Sequence, residues 1–151
     1  MQESLVVRRE MHIPAPPAAV FALLTDPDKI LRWMGTEAQI DAQPGGLYLV
    51  NVTGARCARG SFREVVPVHR LAYSFGWDDS AEVPPGSSLI EIDLLERPDG
   101  TLLCMTHTGL PTAEQCAMHA DGWAYYLGRL AVVGAGGDPG PDPRLGRTGR
   151  A

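Results

Sequence analysis

Apolar and polar residues alternate with different periods along this chain, and each change of period predicts an element. Residues 4–13, SLVVRREMHI, mix β-branched with charged side chains and stop at Pro14, which predicts an opening strand. In the stretch PPAAVFALLTDPDKILRWMG, Pro16 and Pro17 suit a helix start, and Val20, Phe21, Leu23 and Leu24 supply its apolar stripe. Thr25-Asp26-Pro27 ends that helix and starts a second short one, with Asp26 as N-cap and Pro27 at its first position. The second helix carries Ile30, Leu31, Trp33 and Met34 and ends at Gly35.

The middle of the chain reads as antiparallel strands. EAQIDA is separated from LYLVNVT by the turn Pro44-Gly45-Gly46, and Gly54 breaks the pattern before CARGSFREVV. Beyond Pro67, in RLAYSFGW, the bulky residues Leu71, Tyr73, Phe75 and Trp77 alternate with Ala72, Ser74 and Gly76. SLIEIDLLE sets Ile90, Ile92 and Leu94 against Glu91 and Asp93, and the turn Pro98-Asp99-Gly100 leads into TLLCMTHTGL. Pro111-Thr112 opens a long helix, with Gln115 at capping-box spacing. His119, Trp123, Tyr126, Leu130 and Val133 share one stripe of that helix. Strand, two short helices, six strands and a long helix imply an α+β domain, its antiparallel sheet covered by the last helix.

Composition narrows the picture. The 151 residues are 44% hydrophobic and 21% charged, the balance of one folded domain rather than a disordered or fibrous chain. No apolar run approaches the ~18–20 residues that cross a bilayer, so no membrane association is expected. The first residues, MQESLVVRREMHI, lack a signal-peptide layout. Cys57, Cys104 and Cys116 fit neither a disulfide framework nor a zinc pattern, consistent with a cytoplasmic protein. Net charge is −5, and Lys29 is the only lysine. The ending from 136 to 151, dense in Gly and Pro, reads as a disordered tail, leaving 1–135 as the domain. Without that tail the body holds ten basic and sixteen acidic residues, which argues against nucleic-acid binding.

Several stretches, taken in order, are similar to one known family. They are IPAPPAAVFALLTDPDKILRWMG, PGGLY, GSFREVVPVHRLAYSFGW, the H-x-G of His107–Gly109, and HADGWAYYLGRLA in the last helix. Together they span residues 5–133 and resemble the START-like (SRPBCC) superfamily, in the branch named after the activator of heat-shock-protein-90 ATPase. The resemblance implies a helix-grip fold: a curved antiparallel sheet of about seven strands around a long C-terminal helix, with a cavity between them. Members bind lipids, polyketides, hormones or other apolar molecules, and some are cyclases. The co-chaperones that named the branch carry a second, N-terminal domain. None is expected here, because residue 5 already lies in the first strand, and this weakens a co-chaperone role.

On that fold, Trp33, Tyr73, Phe75, Trp77, Met105, His107, His119, Trp123 and Tyr126 become the candidate ligand-binding residues. Trp123 is expected against Leu71, Tyr73 and Phe75. His107 shares its strand face with Leu103 and Met105, and His119 precedes Trp123 by one turn, so two imidazoles would border the cavity. Either is a weak candidate for a general base; the competing expectation is a core histidine with satisfied nitrogens. A metal site from His107, His119 and Cys104 or Cys116 is not expected, since Cys104 points away from His107 and Cys116 lies off the helix stripe. Glu64, at an acidic position common in the branch, reads as a solvated residue or structural ion pair. No nucleophile elbow or phosphate-binding loop is present.

The functional expectation is a binder of a hydrophobic or aromatic small molecule, lipid or polyketide-like, without cofactor and without a firm catalytic role. The alternatives are a cyclase or dehydratase using a cavity histidine, and a chaperone-associated interaction module or homodimer. An exposed Trp33–Met34 patch would serve the latter.

Overall fold

The computed structural model describes residues 5–145. Its elements follow the expected order: β1 (Val7–Ile13), α1 (Pro17–Thr25), a 3-10 turn (Ile30–Arg32), β2 (Glu37–Ile40), β3 (Leu47–Asn51), β4 (Cys57–Val66), β5 (Arg70–Phe75), β6 (Ser88–Arg97), β7 (Gly100–Thr108) and α2 (Ala113–Gly134). The seven strands form one antiparallel sheet in the order β1-β7-β6-β5-β4-β3-β2, so the first strand closes beside the last. A register shift between Phe62 and Glu64 bends β4 against β5. The long helix buries Trp123, Tyr126, Leu127 and Leu130 in the same core as Leu71, Ile90, Ile92 and Leu103. This is the α+β helix-grip architecture.

Local chemistry explains the departures from the expected elements. Asp26 caps the second helix as expected, its carboxylate accepting from the N–H groups of Asp28 and Lys29 at 2.8 and 3.2 Å, but the element is short, a turn leading into the 3-10 residues Ile30–Arg32. The capping box on α2 is half made. Thr112 Oγ1 accepts from the Gln115 N–H, but the Gln115 amide donates to Glu82 instead of turning back, and so ties the helix to the 78–87 loop. Strand β5 stops at Phe75. A side chain at Gly76 would collide with the Pro84 carbonyl, and Gly86 of the same loop lies beside Ser74, which is buried although it faces away from the helix. Trp77 lies beyond the strand, bridged to Ala58.

Two expectations are corrected. The Trp33–Met34 patch is not exposed: both side chains are buried in the core. Residues 136–145, taken from composition as the start of a disordered tail, lie back along α2. Asp142 is buried there, accepting from Tyr125 and Tyr126 hydroxyls at 2.8 Å each, and the Arg144 guanidinium sits 4.5 Å over the Tyr125 ring. Charge-assisted hydrogen bonds hold this strap where apolar burial does not. The remainder of the expected tail, 146–151, lies outside the described residues. Among the described residues no helix is long and apolar enough to cross a membrane.

Trp33 has a defined task. Leu23 lies in the last turn of α1, where carbonyls lack helical partners, and residue 27 is a proline with no N–H to offer. The Trp33 indole donates to the Leu23 carbonyl at 2.9 Å instead. Replacing Trp33 by Phe keeps most of the apolar burial but strands a buried acceptor. The expected loss is about 1–3 kcal/mol in urea unfolding; a variant as stable as the parent would mean that water reaches this carbonyl.

Candidate functional site

Strand alternation on β7 turns Leu103, Met105 and His107 inward, and the pairing with β6 places Ile90 beside His107. His107 is fully buried, its ring edge-on to Phe75 at 5.2 Å and to His119 at 5.3 Å. Its hydrogen bonds define the tautomer. The Ser88 hydroxyl donates to the Phe75 carbonyl at 2.7 Å, so Ser88 Oγ receives the proton from His107 Nε2 at 2.8 Å. Nδ1 is then the acceptor, and it takes the Trp123 indole N–H at 3.1 Å. Burial, followed by the neighbouring His119, lowers the His107 pKa to about 3, so the ring is neutral.

His119 is satisfied in a parallel way from the helix. Its Nδ1–H donates to the Gln115 carbonyl at 2.8 Å, and Nε2 accepts from the Trp77 indole at 3.0 Å. Burial lowers its pKa too, the Gln115 bond opposes that, and Arg56 adds to the lowering. Both imidazoles therefore lie side by side, as expected, yet neither keeps a lone pair for proton abstraction.

Beside this aromatic cluster lies a half-enclosed cavity of about 100 Å³ between the sheet and α2. Of the nine candidate residues, Phe75, Trp77, His119, Trp123 and Tyr126 line it. Trp33, Tyr73, Met105 and His107 do not reach it. Trp33 turns under α1, Tyr73 stacks on Tyr48 at 4.2 Å, and Met105 and His107 are packed beneath the lining. Sequence reasoning missed Met34, Arg56, Met118, Gly122 and Arg144, all of which line the cavity. A glycine inside a helix carries a signal, since it costs stability unless space is needed beside it. Met34 and Arg56 come from loops whose approach no local pattern encodes. A second depression of about 360 Å³ at the β2 edge, around Leu31, Ala38, Leu49 and Cys57, shares no lining residue with this cavity.

The remaining candidates stand apart from the cavity. Glu64 forms an ion pair with Arg70 at 2.7 Å, and Arg70 also holds Glu91 and Asp93. Cys104 faces Glu10 on the outer side of the sheet, while Cys116, expected off the stripe, packs partly against the core. Among the described residues no group of three His, Cys, Asp or Glu side chains converges as a metal site would require.

The neutral burial of His107 makes stability depend on pH. An unfolded histidine titrates near 6.5, the folded one near 3, so below pH ~6.5 only the unfolded chain takes up the proton. Stability is complete above that point and falls on acidification by up to about 1.4 kcal/mol per pH unit from this residue. Urea unfolding between pH 7 and 5 is expected to show a shallower slope for His107→Gln than for the parent. Parallel slopes would contradict the neutral assignment.

Comparison with known proteins agrees with this geometry. An AHSA1-like protein of Rhizobium etli, solved by solution NMR, is 73% identical, with 97% of this chain and 94% of that one covered and a TM-score of 0.75. CalU16 of Micromonospora echinospora is 28% identical over 94% of this chain and 78% of its own, with a TM-score of 0.68. DynU16, a putative protein in the dynemicin biosynthetic locus, shares the fold at 22% identity and a TM-score of 0.78, covering 93% of this chain and 51% of its own. No curated protein matches the sequence. The family model for Activator of Hsp90 ATPase homolog 1-like protein matches residues 14–135, nearly all of the sheet and both helices, and the chain belongs to that family.

Proposed function

We propose that this chain binds a hydrophobic or aromatic small molecule between the sheet and α2, without catalysing a reaction on it. The observation that carries the reading is the cavity itself: an opening walled by Phe75, Trp77, Trp123, Met34 and Met118 beside two imidazoles with every nitrogen occupied. Its volume of about 100 Å³ is somewhat below the ~150 Å³ that admits benzene in an engineered protein cavity. A short alkyl segment or the edge of one ring therefore enters, and the rest of the molecule lies toward the open mouth. A cyclase-type reaction needs a base within reach of a substrate proton, and neither His107 nor His119 offers a free lone pair. The three cysteines are unpaired, which fits a cytoplasmic location.

The indole N–H groups report directly on this reading. Titrating 3-phenylpropanol into the labelled protein is expected to shift the Trp77 and Trp123 indole signals and leave Trp33 unmoved. Gly122→Leu supplies a control that fills the cavity. The nearest atom to a Cβ placed there is Arg144 Nη1 at 3.8 Å, so the helix accommodates the change. That variant is expected to stay folded and lose binding. Equal shifts at all three indoles, or undiminished affinity in Gly122→Leu, would remove the cavity as the binding site.

A further inference from the structure

The charges around the cavity are one-sided. The charged residues lining it are Arg56 and Arg144, both cationic, and no carboxylate lines it. The two guanidinium groups differ in what they have already bound. Arg56 gives Nε and Nη2 to Asp79 at 3.3 Å and lies 4.1 Å over the Trp77 ring, so its charge is largely committed. Arg144 forms no ion pair among the described residues. Its neighbour Asp142 forms no ion pair with that guanidinium and does not line the cavity; the carboxylate accepts from the Tyr125 and Tyr126 hydroxyls and from the Arg144 backbone N–H, each at 2.8 Å. The two tyrosine bonds hold the strap against α2, with the Arg144 guanidinium at the cavity, 4.5 Å over the Tyr125 ring and, unlike Arg56, without a carboxylate partner.

We propose that the cavity takes a carboxylic acid with an apolar body, its ring or alkyl segment inside and its carboxylate on Arg144 at the mouth. The C-terminal strap thereby completes the site. This rests on the small-molecule reading above and adds its chemical class. A free guanidinium matches a single carboxylate, two parallel N–H donors against two oxygens. A phosphate dianion would need further donors, and the nearby candidates are spent: Arg56 on Asp79 and the neutral His119 on Gln115 and Trp77. A cationic ligand would meet two guanidinium groups and no carboxylate in the lining.

The test compares 3-phenylpropionate with its uncharged analogue 3-phenylpropanol at pH 7, by calorimetry on the full chain and by the Trp77 and Trp123 indole signals. The acid is expected to bind about tenfold more tightly than the alcohol, the size of one charge-assisted hydrogen-bonded pair. Arg144→Gln is expected to bring that ratio to about one, whatever the change in alcohol affinity, and Arg144→Lys to keep part of it. A ratio near one in the parent, or a full ratio surviving in Arg144→Gln, overturns the assignment of the anionic head and leaves the cavity reading intact. Binding of neither probe overturns both.

Discussion

A buried indole N–H has to find an acceptor, and on α2 the acceptor that the Trp123 indole finds is His107 on the sheet. This one hydrogen bond joins the helix layer of the domain to its sheet. It also determines the state of its neighbours. Because Nδ1 of His107 must accept, Nε2 must carry the proton, and that proton needs the Ser88 oxygen, whose own hydrogen goes to the Phe75 carbonyl. Helix, last strand, sixth strand and fifth strand are thus linked through one ordered chain of donors. Burial of this kind stabilises only while every member is satisfied, since a polar group left unpaired in the interior costs more than the bond contributed.

The same contact leaves the cavity beside it. Trp123 reaches down to His107 near the end of β7, while His119, one turn earlier, reaches sideways to Trp77. Between these anchors Gly122 presents no side chain, and the space it leaves is walled by Phe75 and by Trp77, His119, Trp123 and Tyr126, which are already held by their hydrogen bonds. The rings cannot rotate in to fill the gap without breaking those bonds. A cavity bounded by anchored aromatics keeps its shape, the property a preformed binding site requires.

Charge organises the rim as apolar packing organises the floor. The strap of residues 136–145 holds little apolar surface, and it stays on the helix through Asp142 and its two tyrosine donors. Tyr125 and Tyr126 both have raised pKa values, from burial first and then from the Asp142 charge, so both hydroxyls remain protonated as donors. Arg56, stacked on Trp77 and paired with Asp79, closes the opposite side.

Most of the fold was legible in one dimension because its elements have short periods and strong punctuation. The alternation from Leu71 to Phe75, the Pro-Gly-Gly turn and the proline pair before α1 each act over a few residues, and the helix stripe through Trp123, Tyr126 and Leu130 directed the long helix onto the sheet. The pairing of His107 with His119 was also legible, since strand parity and helix phase each point a side chain inward. What those periods could not specify is which inward residues touch open space. Tyr73, Met105 and His107 share the inward parity of Phe75, yet they are packed solid and Phe75 lines the cavity, because how far α2 stands off each strand is set by the packing of the whole domain. Composition misread residues 136–145 for a related reason. It counts apolar surface, whereas the strap is held by a buried carboxylate whose tyrosine partners lie 16 and 17 positions away along the chain. Contacts of that range exist only once the chain has folded.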